Sequence, residues 1–175
     1  MKKVKAGDLD KMGLLYERHK KRLFGFFYNM NSNASLSEDL VQNVFIRMIK
    51  YKHTFTGEGS FLAWMFTTAR NVNHDHFNKR KKAYNERELS AVEYKLQAHS
   101  DTEKVIENHE DRQLLRLALN RLDAEKKEVL VLSKLKEIKF SEIGEIMGCS
   151  EGAAKVKAHR ALKELRSIFL QLQTR

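Results

Sequence analysis

The chain has 175 residues, 42% of them hydrophobic, with no proline, eight glycines and a formal charge of +10 from 33 basic and 23 acidic side chains. A single cysteine, Cys149, excludes a disulfide framework and a cysteine-rich zinc site and suits a reducing cytosol. No apolar run approaches the roughly 20 residues of a membrane helix, and the basic N-terminus has no apolar stretch behind it, so a cytoplasmic protein without membrane insertion is expected.

So large a basic excess points to a polyanionic partner, usually nucleic acid and sometimes an anionic membrane, against the plain alternative of a basic soluble protein. The charge falls into three parts. Residues 1–82 carry 16 basic and 7 acidic side chains, residues 83–110 carry 3 and 7, and residues 111–175 carry 14 and 9. The middle part has few large apolar residues and no sustained periodicity, which predicts a flexible acidic linker between two basic lobes. Without proline, and with little glycine, both lobes favour long helices. No segment alternates as a strand, so the expected fold is all-α: two small helical domains, 1–82 and 111–175.

In chain order, the first helix is expected over about residues 8–30, with Leu14, Leu15, Leu23, Phe26 and Phe27 as its apolar face. Ser35 and Ser37, ahead of Glu38, offer N-caps for a second helix ending near Lys50. Its core arc is Leu40, Val41, Val44, Phe45, Met48 and Ile49. The opposite arc is Asp39, Gln42, Asn43, Arg47 and Lys50, with Ile46 among them. An isolated exposed apolar residue is common; the sharper reading is a protein-binding face with one hydrophobic anchor.

The loop HTFTGEGS follows, then a third helix over about residues 60–82. Phe61, Leu62, Met65, Phe66, Ala69, Val72 and Phe77 form its expected buried arc. The other face reads Trp64, Thr67, Thr68, Asn71, Asp75, Asn78 and Lys82, bordered by Arg70 and His74, and the helix ends in Lys79, Arg80, Lys81 and Lys82. Amide and hydroxyl groups can bond base edges, an aromatic can stack an unpaired base, and a basic cluster can hold phosphates. The combination suits single-stranded or melting DNA, with Trp64 packed into the core as the alternative. His74 and His76 stand about 200° apart on a helix and cannot chelate one ion from it. No metal site, no catalytic set and no cofactor are expected.

In the second lobe, helices are expected at about 111–121, 124–135, 139–147 and 150–172. Within FSEIGEIMGCSEGAAKVKAHRALKELRSIF, Ser141 can cap a short helix with Ile143, Ile146 and Met147 inward. Gly148 can end it in the left-handed conformation, and Ser150 can cap the next. On that last helix Ala154, Ala158, Ala161, Leu162, Leu165 and Phe169 form a seam. Gly152, Val156, His159, Arg160 and Lys163 lie opposite, flanked by Lys155 and Lys157. This is the layout of a helix-turn-helix whose second helix enters a major groove; a plain helical hairpin with a solvated basic face is the alternative.

Three segments taken together, SEDLVQNVFIRMIKY, FLAWMFTTARNVNHDHFNKRKK and LNRLDAEKKEVLVLSKLKEIKFSEIGEIMGCSEGAAKVKAHRALKELR, resemble the extracytoplasmic-function (ECF) group of bacterial RNA polymerase sigma factors, in the right order over about residues 8–170. The resemblance implies a non-enzymatic subunit that binds core RNA polymerase and directs it to promoters. The first lobe would correspond to region 2, which binds the polymerase clamp helices and opens the minus-ten element. The second would correspond to region 4, which binds the minus-thirty-five element and the polymerase flap.

The helical faces and the resemblance together make Asp39, Gln42, Ile46 and Arg47 the candidate polymerase contacts, of which the resemblance implies Asp39 and Gln42. Trp64, Thr67, Asn71, Asp75, Asn78, Lys79, Arg80 and Lys82 are the candidates for minus-ten DNA. Lys155, Lys157, His159, Arg160 and Lys163 are those for minus-thirty-five DNA. The loop HTFTGEGS matches the family loop beside the pocket for a flipped base. An anti-sigma protein is a further candidate partner.

The chain departs from the family pattern at three places. Asp123 stands where proline often follows Leu122, Lys126 or Lys127 stands for an arginine, and Gly152-Ala153-Ala154 replaces Gly-Thr-Val. The rival reading is a stand-alone helix-turn-helix regulator, which would bind duplex DNA without polymerase.

Overall fold

A computed structural model of the protein describes residues 1–88 and 109–174, with side chains described for 1–79 and 111–174 apart from 135. All regular elements among these residues are helical. They are α1 (Lys2–Lys5), α2 (Lys11–Asn31), α3 (Ala34–Lys50), a 3-10 turn (Lys52–Thr54) and α4 (Phe61–Glu88). The second lobe has α5 (His109–Arg121), α6 (Ala124–Leu130), a π turn (Val131–Leu135), α7 (Phe140–Met147) and α8 (Glu151–Gln173). The helices flanking the expected linker take residues 83–88 and 109–110 of it. The rest of that segment lies outside the described residues.

The first lobe is built on an abrupt reversal. Ser32 takes the left-handed conformation, φ 53°, and stops α2; Asn33 is extended, and its side chain accepts the Leu36 N–H at 2.9 Å, starting α3. The cap is therefore Asn33 and not Ser35 or Ser37. Ser37 lies inside the first turn, buried, with its hydroxyl donating to the Asn33 carbonyl at 2.6 Å. Leu23, Phe26 and Phe27 of α2 meet Leu40, Val44 and Met48 of α3 and Met65, Phe66 and Ala69 of α4 in one core. Phe26 and Phe66 pack edge to face at 5.5 Å. The N-terminal turn α1, not expected from the sequence, buries Val4 and ties down the loop after α3 through Lys5 Nζ, which donates to the Phe55 carbonyl.

Four apolar positions assigned to apolar faces are exposed: Leu14 (65% exposed), Ile49, Phe77 (43% exposed) and Leu162. A helical wheel gives a direction and not the extent of the neighbour on that side. Along α4 the last buried positions are Val72 and Asn73, and Phe77 lies beyond them.

In the second lobe Asp123 caps α6 by accepting the Lys126 N–H at 2.8 Å. The expected 124–135 helix changes to a π turn at Val131, and its Val131 and Leu132 are buried. Helix α7 starts after Lys139 rather than from a Ser141 cap; the Glu142 carboxylate accepts the Lys139 N–H at 3.3 Å. It ends at Gly148, φ 68°, as expected. Ser150 caps α8 by accepting the Ala153 N–H at 3.1 Å.

Gly144 sets how tightly these two helices turn. A Cβ there would stand 2.6 Å from the Cys149 carbonyl oxygen and 3.3 Å from the Glu151 nitrogen, both backbone atoms of the turn. Gly144→Ala is expected to cost about 1–3 kcal/mol of stability, because the turn itself must move. Gly152→Ala, which meets nothing within 4 Å, should be neutral or gain up to about 1 kcal/mol. Urea unfolding of the two variants checks the contrast; equal midpoints would show that the turn yields freely.

The two lobes pack against each other, α7 on α4 and the π turn with α6 on α2. Buried residues of both lobes form one continuous hydrophobic cluster. Arg22 donates to the Lys136 carbonyl, Lys127 to the Met30 carbonyl and Arg70 to Glu128.

Candidate functional site

Three faces carry the residues singled out from the sequence. On α3, Asp39, Gln42 and Ile46 are exposed on one side, and Ile46 has 61% of its surface open to solvent. Arg47, expected beside them, is half-buried because its guanidinium donates to the Asp75 carboxylate of α4 at 2.6 Å. That ion pair joins the α3 face to the α4 stripe, residues 28 apart in sequence.

The α4 stripe is less uniform than its spacing suggests. Trp64 is half-buried: its indole N–H donates to the Thr54 hydroxyl at 3.0 Å, and its ring lies 5.4 Å from that of Phe55. It fixes the loop between α3 and α4 rather than standing free in solvent. The Thr67 and Thr68 hydroxyls donate back to the Ala63 and Trp64 carbonyls of their own helix at 2.8 and 3.0 Å. Asp75 is committed to Arg47. Asn71, Asn78 and Lys79 are exposed; Arg80 and Lys82 lie outside the residues whose side chains are described. The loop and the start of α4 enclose a pocket of about 210 Å³, lined by Thr54, Gly59, Ser60, Trp64, Thr67 and, from the other lobe, Glu145. Thr54 lies in the HTFTGEGS loop expected beside such a pocket, whereas Glu145 carries no sequence signal for this position. Only the packing of α7 on α4 brings Glu145 there.

On α8, Ala154, Ala158, Ala161 and Leu165 are buried as the seam requires. His159, Arg160 and Lys163 are exposed without an ion pair among the described residues. Val156 is also exposed on this face. Lys155 pairs with Glu151 one turn back at 2.6 Å, an exposed contact that costs little to exchange for another anion. Lys157 turns instead toward α6 and donates to Glu125, a hydrogen bond that raises the affinity of its amine for the proton.

Two family profiles match the chain: sigma-70 region 2 over residues 15–83 and sigma-70 region 4 over residues 112–165. RNA polymerase sigma factor CarQ of Myxococcus xanthus is 32% identical over 175 residues, covering 99% of this chain and 97% of that protein. The ECF RNA polymerase sigma factor SigX of Bacillus subtilis is 29% identical over 157 residues, covering 87% and 80%. The chain belongs to the ECF group of RNA polymerase sigma factors. As a sigma factor it serves transcription initiation with core RNA polymerase at promoter DNA and is not itself an enzyme. The fold of this sigma factor is shared with RpoE of Bartonella quintana, solved in complex with the anti-sigma factor NepR. The TM-score is 0.70 at 22% identity, covering 89% of this chain and 94% of that one.

Proposed function

We propose that residues 1–82 dock the core polymerase through the exposed α3 face and engage the minus-ten element through α4, while residues 111–175 carry the minus-thirty-five element on α8. The observation that supports this reading best is the Arg47–Asp75 pair. It ties a face with an apolar anchor, suited to a protein, to a stripe of amides, suited to bases. Asp75 then acts by fixing Arg47 and the α3–α4 geometry, and Asn71, Asn78 and Lys79 remain to meet DNA. Trp64 and Thr54 shape the loop pocket for an unpaired base, with the basic cluster Lys79, Arg80 and Lys82 holding the backbone.

Work in the cytoplasm, alongside polymerase, belongs to this reading and is supported by the family match. No helix among the described residues is long and apolar enough to cross a membrane. An anti-sigma protein is a candidate regulator, as NepR is in the solved complex with RpoE.

On α8 the structure separates lysines that the sequence treats alike. Arg160→Ala should reduce transcription from promoters that depend on the minus-thirty-five element about fivefold to tenfold, and flatten the salt dependence of duplex binding by about one unit of slope. Lys157→Ala should change the slope less, because Glu125 already neutralises that amine. Footprinting and salt titrations of holoenzyme carrying each variant test the order. An unchanged footprint and slope for Arg160→Ala would move the recognition surface elsewhere.

A further inference from the structure

Helix α1 has four residues, far fewer than a helix needs to persist in water by itself. It is held by packing: Val4 is fully buried, and Met1 packs against the same core. From that seat α1 grips the loop before α4 at two points. Lys5 Nζ donates to the Phe55 carbonyl at 2.9 Å, across 50 residues of sequence. A charged donor makes this a stronger bond than one between neutral groups. Phe55 is the residue at which the 3-10 turn gives way to extended chain, and its buried ring lies 5.4 Å from that of Trp64 in the wall of the loop pocket. Two residues on, Gly57 is left-handed, φ 86°, and the Lys2 side chain lies over it: a Cβ at Gly57 would stand 2.9 Å from Lys2 Cε and 3.7 Å from its Nζ. Lys2 and Lys3 are exposed and have no ion pair among the described residues. Glu58, the acid within this loop, is exposed and pairs with neither of them. The pocket is thus bordered by positive charge that nothing in the described chain neutralises.

We propose that α1 is part of the site that captures the unpaired base: Val4 seats it, Lys5 fixes the loop at Phe55 so that the pocket is formed before DNA arrives, and Lys2 offers its amine to the phosphate beside the captured base. This rests on the function proposed above, in which the loop pocket takes an unpaired minus-ten base. The loop has no regular structure between Thr54 and Phe61, so ordering it at the moment of binding would cost conformational entropy. The Trp64 indole holds it at Thr54 from the α4 side, and Lys5 holds the next residue from the α1 side. A pocket that is formed only part of the time binds more weakly by that fraction. Lys5 is therefore a positioning residue, which acts through Phe55 and touches no base. Lys2 is a contact, which acts through its charge.

Holoenzyme assembled from the full chain tests this on promoter forks in which each minus-ten base of the unpaired strand is made abasic in turn. In the parent, one position should lose about tenfold in affinity when its base is removed, the range for a single stacked base. Lys5→Met should cut that ratio to about twofold. The fork that keeps its base is the one weakened; the abasic fork stays within about twofold of its parent affinity, and the thermal midpoint of the free chain stays within a degree or two. Lys5→Arg keeps a charged donor and should restore most of the ratio. Lys2→Gln should leave the ratio intact and flatten the salt dependence of fork binding by about 0.7 units of slope, the value for one single-strand phosphate. A full tenfold ratio in Lys5→Met overturns the positioning role of α1 and leaves the pocket standing. An unchanged salt slope in Lys2→Gln overturns the phosphate contact. A parent that loses nothing at any abasic position overturns the pocket reading itself, and α1 leaves the DNA site with it.

Discussion

Ile46→Glu lowers the affinity for core polymerase by about 100-fold while leaving the thermal midpoint of the free protein within a degree or two. Ile46 is 61% exposed in the free chain and surrounded on α3 by Asp39 and Gln42, so no core contact is lost on substitution. Surface changes of that kind usually move stability by less than about 0.5 kcal/mol. At an interface the same residue is an apolar anchor ringed by polar groups, the arrangement in which one truncation costs about 2 kcal/mol or more. A carboxylate adds the penalty of burying an unpaired charge, and together these reach the ~2.7 kcal/mol that a 100-fold loss requires. Fluorescence titration of labelled protein with core enzyme measures it. Full affinity in the variant would show that the polymerase uses another face, and Asp39 and Gln42 would lose their assignment with it.

What the sequence discloses here, and what it does not, divides along a physical line. Features set within a few residues are legible. The left-handed glycine at Gly148, the Ser150 cap and the alanine seam at Ala154, Ala158 and Ala161 depend on local geometry and helical period alone. Even local reading fails where several groups compete for one role. In NSNASLSED the cap falls to Asn33 because α2 stops at Ser32, and Ser37 is left to bond back to the Asn33 carbonyl.

Contacts between helices are the larger gap. Arg47 and Lys157 read as open cations on a wheel, yet each is held by a carboxylate on another helix, Asp75 and Glu125. Trp64 reads as one of a polar stripe, and its partners Thr54 and Phe55 come from a loop whose path no period predicts. The lobe interface leaves the least trace, because buried Lys127 and Glu128 look from the sequence like any charged pair on a surface helix. A wheel treats a helix as if it were alone, and these side chains are defined by what lies across from them.

Among the residues of the α4 stripe, Asn71 has most to contribute to strand opening. The Thr67 hydroxyl already donates to the Ala63 carbonyl, Asp75 is taken by Arg47, and Trp64 is fixed to Thr54. Asn71 is exposed in the middle of the stripe with both an amide donor and a carbonyl acceptor to offer. A paired base hides its Watson–Crick edge, so these groups gain most from a base that has left the duplex. Asn71→Ala should therefore leave polymerase binding near normal, since it is not part of the α3 face, and reduce open-complex formation by about tenfold to 100-fold. That is the range for one or two hydrogen bonds to a base that is otherwise desolvated. Permanganate reactivity of promoter thymines, with holoenzyme carrying either version, measures the open fraction. A template with a pre-melted minus-ten bubble should recover part of the lost transcription, because the unpairing that Asn71 assists has been done in advance. Equal reactivity for parent and variant would take Asn71 out of the melting step and leave this face of α4 as a support for the loop pocket.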